Sequence, residues 1–165
     1  IEGVPQLLKL RTLRFSSIVE GLAGDSHYGK LYVAQERKGL WQINAAPWKP
    51  LQKEMLLKTD RKQLRADFEG VAVRDDGQGK GTIVVSVQGA NAYALIDRKT
   101  KVLKALVRIT DGTVDGVQET DGLDVSRLSS VQFPSGFLIV QDGDNAPDTQ
   151  NFKFIDWKTV DTILQ

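Results

Sequence analysis

Three of the acid–glycine pairs in this chain recur at regular intervals, each just before an apolar run. The stretches are VEGLAGD, FEGVAVRD and TDGLDVS, and their acids are Glu20, Glu69 and Asp121. The spacing between successive acids is about 50 residues. Carboxylates that are brought close together repel one another unless a cation neutralises them. The repeat therefore favours a cation-binding site, provided that the fold gathers the three acids at one place.

The residue types available as ligands favour a hard cation. The chain has no cysteine and one histidine, so the ligands at hand are carboxylate and amide oxygens. Oxygen ligands suit Ca²⁺ better than Zn²⁺. The histidine, His27, lies in GDSHYG, which is predicted to be an exposed turn. The acidic segment QDGDNAPDTQN departs from an EF-hand loop, because Pro147 and the missing final Glu break that pattern.

The same order of strand-like segments follows each acid–Gly pair. First comes an apolar run (KLYVAQE, GTIVVSVQG, GFLIVQDG), and then an alternating aromatic segment (GLWQINA, NAYALIDR, NFKFIDW). A fourth segment follows in the first two units, PLQKEMLLKTD and VLKALVRITDG. Alternating apolar runs bounded by Gly, Asp and Asn are typical of short antiparallel strands, and a four-strand unit at this period is typical of propeller blades. Three similar hairpins in a β-sandwich are the alternative, but a sandwich gives no reason for the repeated order.

We therefore expect one all-β domain over residues 1–165, built from about three four-stranded antiparallel blades of a propeller. The predicted blades are approximately 18–66, 67–118 and 119–165, with 1–17 as the outer strand of a preceding blade. WKTVDTILQ is predicted to be a short terminal helix. Propellers close with four to eight blades, so this ring is incomplete. The remainder is expected from a missing N-terminal half, a second copy or a separate fragment, because three blades alone would expose the apolar faces of the first and last. The chain begins at Ile1 without Met or a signal peptide, so it is expected to be a processed, cleaved or excised piece of something longer.

Composition and motifs exclude several other functions. The net charge of +1 favours neither a nucleic-acid nor a membrane-surface partner, and no apolar run reaches the length of a bilayer span. GQGKGT lacks the spacing of a phosphate loop and precedes a strand, so it is interpreted as a hairpin turn. Ser86 and Ser129 have no Gly-x-Ser-x-Gly context, which argues against a serine hydrolase.

Six motifs of the chain resemble, in the same order, the C-terminal half of the β-propeller phytases. They are VEGLAGDSHYGKLYVAQERKGLW, DFEGVAV, SVQGANAYALIDR, RITDGTVDGVQETDGLDV, FLIVQDGDN and QNFKFIDW, from about Val19 to Trp157. The stretch 46–65 is the least similar. The resemblance implies a six-bladed, calcium-dependent phosphomonoesterase, secreted or periplasmic, that acts on phytate (myo-inositol hexakisphosphate). It also implies attack by a metal-activated water without a phosphoenzyme intermediate.

The resemblance further implies which acids form the cleavage site. They lie in the motifs VEG, AQE, DFEG and ETDG. These predicted catalytic residues are Glu20, Glu36, Asp67, Glu69 and Asp121. Asp67 and Glu69 share one face of an extended segment, because side chains alternate along a strand. Gly70 is expected to let the backbone turn into the inner strand.

All five acids are also predicted to bind Ca²⁺, together with further oxygen donors implied by the resemblance. The added ligands are Gln88, Asp115, Asp142, Asp144 and Asn145. Asp115 and Asp121 are predicted to bridge calcium ions, and the three residues of QDGDN to form a stabilising site. Members of the family carry phosphate-binding Lys and Arg residues in their first three blades, which are absent from this chain. A second interpretation therefore stays open, namely a non-catalytic, calcium-binding half-propeller that acts as a scaffold or accessory module.

Overall fold

Three antiparallel sheets follow one another along the chain in the computed structural model, which describes residues 3–4 and 6–165. The first sheet consists of β1 (Val19–Asp25), β2 (Lys30–Gln35), β3 (Gly39–Asn44) and β4 (Lys53–Lys58). The second consists of β5 (Phe68–Gly77), β6 (Lys80–Val87), β7 (Ala92–Asp97) and β8 (Leu103–Val107), with a short 3-10 helix Gln88–Ala90 between β6 and β7. The third consists of β9 (Leu123–Ser126), β10 (Phe137–Asp142) and β11 (Asn151–Asp156), and the helix α1 (Trp157–Leu164) follows it.

Each sheet is an up-and-down meander in which strands adjacent in sequence pair with one another. The predicted all-β blade architecture is therefore confirmed, with one difference. The third sheet has three strands rather than four, because α1 begins directly after β11. The Asp156 side chain caps this helix by accepting a hydrogen bond from the Lys158 amide at 3.0 Å.

The predicted outer strand at residues 1–17 falls partly outside the description. Residues 1, 2 and 5 lie outside the described residues, and 6–17 form no strand. Part of this segment runs along the first sheet, where Lys53 Nζ donates to the Arg14 carbonyl at 2.7 Å. The blade to which it was assigned is not among the described sheets, so that assignment stays a prediction. Neither described helix is long and apolar enough to cross a membrane.

The first strand of each sheet (β1, β5 and β9) is called its inner strand. The inner strands approach one another at the glycines of the repeat. A Cβ atom at Gly21 would lie 2.7 Å from the Val71 amide nitrogen, and one at Gly70 would lie 2.8 Å from the Asp121 carbonyl oxygen. Real Cβ atoms do not come so close to backbone, so each site requires glycine. The expected turn at Gly70 stays a prediction: the residue lies within β5, where the pairing with β6 shifts register between Phe68 and Val71. Its role is to let the next inner strand pack against it.

The second sheet is buried on both faces. Ile83 and Val85 of β6 face one apolar cluster with the first sheet, and Val84 faces another with the third sheet and α1. This follows from the alternation of side chains along a strand, and it explains why residues 83–85 (IVV) are continuously apolar. The layered arrangement fixes the three inner strands side by side, with their acid–Gly ends together.

The outer faces of the first and third sheets remain uncovered. Leu22 of β1 is 61% exposed, and Phe152 of β11 is 62% exposed. Each residue borders an apolar depression on its own sheet, of about 410 Å³ and about 250 Å³ respectively. The first and third sheets thus each expose the kind of face that the second sheet buries on both sides.

Candidate metal and active site

An open depression of about 620 Å³ lies where the starts of the three inner strands meet. We call it the acidic pocket, because five carboxylates and one amide line it together with backbone and apolar groups. These lining side chains are Glu20, Glu36, Asp67, Glu69, Gln88 and Asp121. The structure therefore gathers six predicted site residues, drawn from all three sheets, into one place. Glu20, Glu69 and Asp121 line the same depression, as the repeat predicts.

Backbone hydrogen bonds hold the acids of the first two sheets in register. The Phe68 amide donates to the Glu36 carbonyl oxygen at 2.9 Å, which ties the end of β2 to the start of β5. The Gln88 amide donates to the Asp67 carbonyl oxygen at 2.9 Å, which ties the end of β6 to the same point. The positions of Glu36, Asp67 and Gln88 are thus set by the main chain.

Asp121 precedes β9 and is held by side chains. Its amide donates to Gln141 Oε1 at 2.7 Å, and its Oδ1 accepts from Gln88 Nε2 at 2.6 Å. The preceding residue, Thr120, is buried; its carbonyl accepts from Ser86 Oγ at 2.8 Å. Ser86 is therefore structural, which agrees with the rejection of a serine hydrolase.

Gln141 is a positioning residue that sequence reasoning missed. Its signal was present, because the second strand of every sheet ends near a glutamine: Gln35, Gln88 and Gln141. Gln35 plays a similar internal role in the first sheet, where its Oε1 accepts from Trp41 Nε1 at 2.9 Å. A recurring amide at the same strand end indicates a repeated hydrogen-bonding task, besides any role as a ligand.

The acidic pocket concentrates negative charge. Burial, together with the neighbouring carboxylates of Glu20, Asp121, Asp67 and Glu36, raises the pKa of Glu69 to about 7. Among the described residues, no lysine or arginine lines the pocket. Arg37 reaches Glu36 only at 3.8 Å and is 75% exposed. The carboxylates thus lack an internal counter-charge.

The remaining predicted ligands lie elsewhere. Asp115 and Asp142 form ion pairs with Lys153, at 2.8 Å and 3.0 Å, and Asn145 Oδ1 lies 3.3 Å from the same ammonium. Asp144 is exposed and does not line the acidic pocket. Asp121 lines the acidic pocket and Asp115 does not, although both are predicted to bridge calcium ions.

The donor set of the acidic pocket suits Ca²⁺ in chemistry. Carboxylate and amide oxygens are the ligands that this ion prefers, and five clustered carboxyl groups without a lining lysine or arginine favour the binding of a cation. No group of three or more Asp, Glu, His or Cys side chains among the described residues forms a ready-made metal cage. Glu20 is exposed, so its side chain is free of the packing that would fix its rotamer.

Two of the rejected motifs behave as predicted. His27 is exposed and contacts Tyr28 edge-on, in the turn between β1 and β2. GQGKGT spans the tight connection from β5 to β6, with Gln78 and Gly79 at positive φ. Neither segment borders the acidic pocket.

A partial β-propeller whose inner strands carry acids into one pocket is the class that fold and site define. The family model described as "Phytase" matches residues 2–165, and the chain belongs to that family. Over 159 residues the chain is 35% identical to a 3-phytase of Bacillus subtilis (strain 168). The alignment covers 92% of this chain and 42% of that relative, so the chain spans less than half of the relative's length.

Proposed function

We propose that the acidic pocket is part of a calcium-dependent site that hydrolyses the phosphate monoesters of phytate. The observation that carries the proposal is the charge of the pocket, with five carboxylates and no lining lysine or arginine among the described residues. A polyanionic substrate would be repelled from such a surface unless cations were bound there first. Membership of the phytase family and the likeness to a 3-phytase support phytate as the substrate.

The side chains of the pocket have separable tasks in this proposal. Glu20, Glu36 and Asp67 supply negative oxygens that hold cations at the ends of the inner strands. Calcium, when bound, neutralises phosphate charge and lowers the pKa of water for attack on phosphorus. With its pKa raised to about 7, Glu69 is about half protonated near neutral pH in the free chain, and a bound cation would favour its carboxylate form.

Asp121 is the best-oriented acid of the site. Two amide side chains, Gln88 and Gln141, fix it from opposite sides of the residue, one at the carboxylate and one at the backbone. Preorganised ligands lose little conformational entropy when an ion binds. We therefore propose that Asp121 is a preorganised ligand, and that the exposed side chain of Glu20 changes its rotamer to reach the same cation.

The rest of the site is proposed to come from further blades. The chain corresponds to 42% of a 3-phytase, and both end sheets expose an apolar face. Blades from the same polypeptide or from a second copy would cover these faces and supply the basic groups that hold phosphate. We further propose that the protein acts outside the cytoplasm, in a secreted or periplasmic location, where free calcium suffices for sites of moderate affinity.

Phosphate release from phytate tests the proposal. We expect release in calcium to fall at least about 100-fold in excess chelator, since neutralisation and water activation are both lost. E36Q and E69Q are expected to reduce it by a similar factor. The matched control E54Q changes an exposed glutamate of β4 that is far from the pocket in the sheet, and it should retain activity. Release that persists in chelator would contradict calcium dependence.

A non-catalytic, calcium-binding half-propeller is the second candidate. It is favoured by the missing basic side chains in the described lining of the pocket. The two functions are separated by native mass and phosphate release measured on the same sample. A monomer of this chain that binds calcium and releases no phosphate is the scaffold, whereas release by any assembled form is the enzyme.

A further inference from the structure

Thr120 directly precedes Asp121, and two buried side chains of the second sheet hold it. Its carbonyl oxygen accepts a hydrogen bond from Ser86 Oγ at 2.8 Å, and its Oγ1 lies 2.6 Å from the hydroxyl oxygen of Tyr93. Ser86 and Tyr93 are each 1% exposed, and Thr120 is 3% exposed. We call these three residues the Thr120 anchor. No member of the anchor lines the acidic pocket, so it affects the pocket only through neighbouring residues.

Strand register brings the two hydroxyl groups of the second sheet together. Ser86 of β6 lies directly opposite Tyr93 of β7, so both side chains point to the same face of the sheet. That face packs against the third sheet, because Tyr93 shares an apolar cluster with Leu138 and Val140 of β10. The anchor therefore lies at the interface between the second and third sheets, where the segment that leads into β9 contacts both.

The residues on both sides of Thr120 are attached to the second sheet as well. The Glu119 amide donates to Asn91 Oδ1 at 3.1 Å, and Asp121 Oδ1 accepts from Gln88 Nε2 at 2.6 Å. These two outer hydrogen bonds are exposed to water, whereas the contacts of Thr120 are buried. Water competes less for a buried hydrogen bond, so the middle attachment defines the position of this segment most firmly.

The hydroxyl group of Tyr93 serves as a hydrogen-bonding group rather than as an acid or base. Burial raises the pKa of Tyr93 to about 12, so this side chain stays neutral near neutral pH. A buried hydroxyl group that loses its partner costs free energy, so the pair favours one position of Thr120 over others. Consecutive Cα atoms lie about 3.8 Å apart across a trans peptide, so that position also determines where the backbone of Asp121 lies.

We propose that Tyr93 and Ser86 are positioning residues of the acidic pocket. They hold Thr120 and thereby set where the Asp121 carboxylate meets a bound cation. This inference rests on the proposed function, in which Asp121 is a preorganised ligand. Groups that orient a metal ligand without touching the metal typically change metal affinity by about 10- to 100-fold when they are removed.

Calcium binding measured by isothermal titration tests the proposal. Y93F removes the hydroxyl group and keeps the ring. The matched control is Y32F, because Tyr32 is also buried and its hydroxyl group donates to Asp25 Oδ2 at 3.1 Å, at the end of β1 that lies away from the pocket. We expect calcium affinity to fall roughly 10-fold in Y93F and to stay unchanged in Y32F. Unchanged affinity in Y93F, or an equal loss in both variants, would overturn the proposal.

The same titration in a D121N background tests whether the effect passes through Asp121. With that carboxylate neutralised, Y93F has no charged ligand left to position, so the double variant should bind calcium as D121N does. A further loss of roughly 10-fold in the double variant would show that Tyr93 acts by another route, and the proposal would be wrong. S86A removes the donor to the Thr120 carbonyl and takes the place of Y93F if that variant does not fold.

Amide hydrogen exchange in the calcium-free protein separates the anchor from the proposed function. The Asp121 amide donates to Gln141 Oε1 at 2.7 Å, so its exchange rate reports how firmly Asp121 is held. We expect this amide to exchange severalfold faster in Y93F than in Y32F. Equal exchange rates would overturn the proposal whether or not calcium binds. Faster exchange in a protein that binds no calcium would support the positioning role and contradict the calcium dependence of the pocket.

Discussion

The strands β1 and β5 carry acids at both ends, and the two ends are neutralised differently. At the starts, Glu20 and Glu69 face the acidic pocket without a lining cation among the described residues. At the far ends, Asp25 and Asp75 share the guanidinium of Arg98. Arg98 Nη2 lies 2.7 Å from Asp25 Oδ1, and both side chains are at most 1% exposed. The acids at the far ends of these two strands are thus neutralised by an arginine, whereas no lysine or arginine lines the pocket at their starts, among the described residues.

The pKa values of the two ends shift in opposite directions. Burial acts to raise the pKa of Asp25, but the hydrogen bonds and charge of Arg98, with hydrogen bonds from Tyr28 and Tyr32, hold it below its ordinary value. Burial and like charges raise the pKa of Glu69 to about 7. An internal cation makes a carboxylate cluster part of the scaffold, whereas its lack leaves the cluster to bind a cation from solution.

Removal of Arg98 should give the largest effect. R98M leaves two acids facing each other, one of them fully buried, and we expect the free energy of unfolding to fall by about 3–5 kcal/mol. The measurement is chemical denaturation in excess chelator. R37M, which changes a 75% exposed arginine in the turn after β2, is the control and should lie within about 0.5 kcal/mol of the unchanged protein. Equal losses in R98M and R37M would abolish the contrast between the ends.

Neutralising Glu69 should have the opposite sign. In chelator at pH 8.5, where Glu69 is ionised and repelled by its neighbours, E69Q is expected to raise the free energy of unfolding by about 1–3 kcal/mol. Calcium should stabilise the unchanged protein more than E69Q. E119Q, at an exposed glutamate outside the pocket, is the matched control and should change neither value.

The pH dependence follows from the same shifts. Glu69 has a folded-state pKa above its ordinary 4.5, so its contribution is fully present below pH 4.5 and is lost as pH rises through about 7. Asp25 has a lowered pKa, so its contribution is present above pH 3.8 and is lost as pH falls further. In chelator, stability should therefore decline between pH 4.5 and 7, and E69Q should flatten this decline. A profile that is flat in the unchanged protein would contradict the charge repulsion.

Installing a cation in the acidic pocket should give the smallest shift and sharpen the comparison. Gln88 already donates to Asp121, so Q88K places an ammonium where an amide now lies. We expect a gain of about 0.5–1 kcal/mol in chelator and weaker calcium binding, measured by denaturation and calorimetry. Q88M removes the donor without adding charge and should show no gain. If Q88K binds calcium as tightly as the unchanged protein, then calcium binding at the pocket does not depend on the lack of an internal cation.

Much of the fold could be predicted because its information is local and repeated. The acid–Gly pairs, the apolar runs and the aromatic segments specify strands and their order, and the blade geometry then brings Glu20, Glu69 and Asp121 together. The predicted members Glu36 and Asp67 also lie there. The close packing at Gly70 could not be predicted, because the backbone that approaches it begins at Asp121, 51 residues further along the chain.

Charge pairing was the part that sequence could not supply. Nothing near Asp142 in the sequence indicates that Lys153 faces it, since the contact depends on the β10–β11 register. The same holds for Asp25 and Arg98, which are 73 residues apart. A list of acids predicts possible ligands, but only the packed structure separates those that already have a cation from those that do not.

The glycines of the repeat also make the two ends of the row of inner strands different. Gly21 receives the backbone of β5, and Gly70 receives the segment leading into β9, but a Cβ atom at Gly122 would meet nothing within 4 Å. At Gly21 and Gly70 the backbone of the next inner strand packs against the glycine, whereas no described backbone packs against Gly122. We expect a bulkier residue at Gly122 to leave these three sheets intact. The added side chain would prevent a further inner strand from packing there as closely as β5 packs against Gly21.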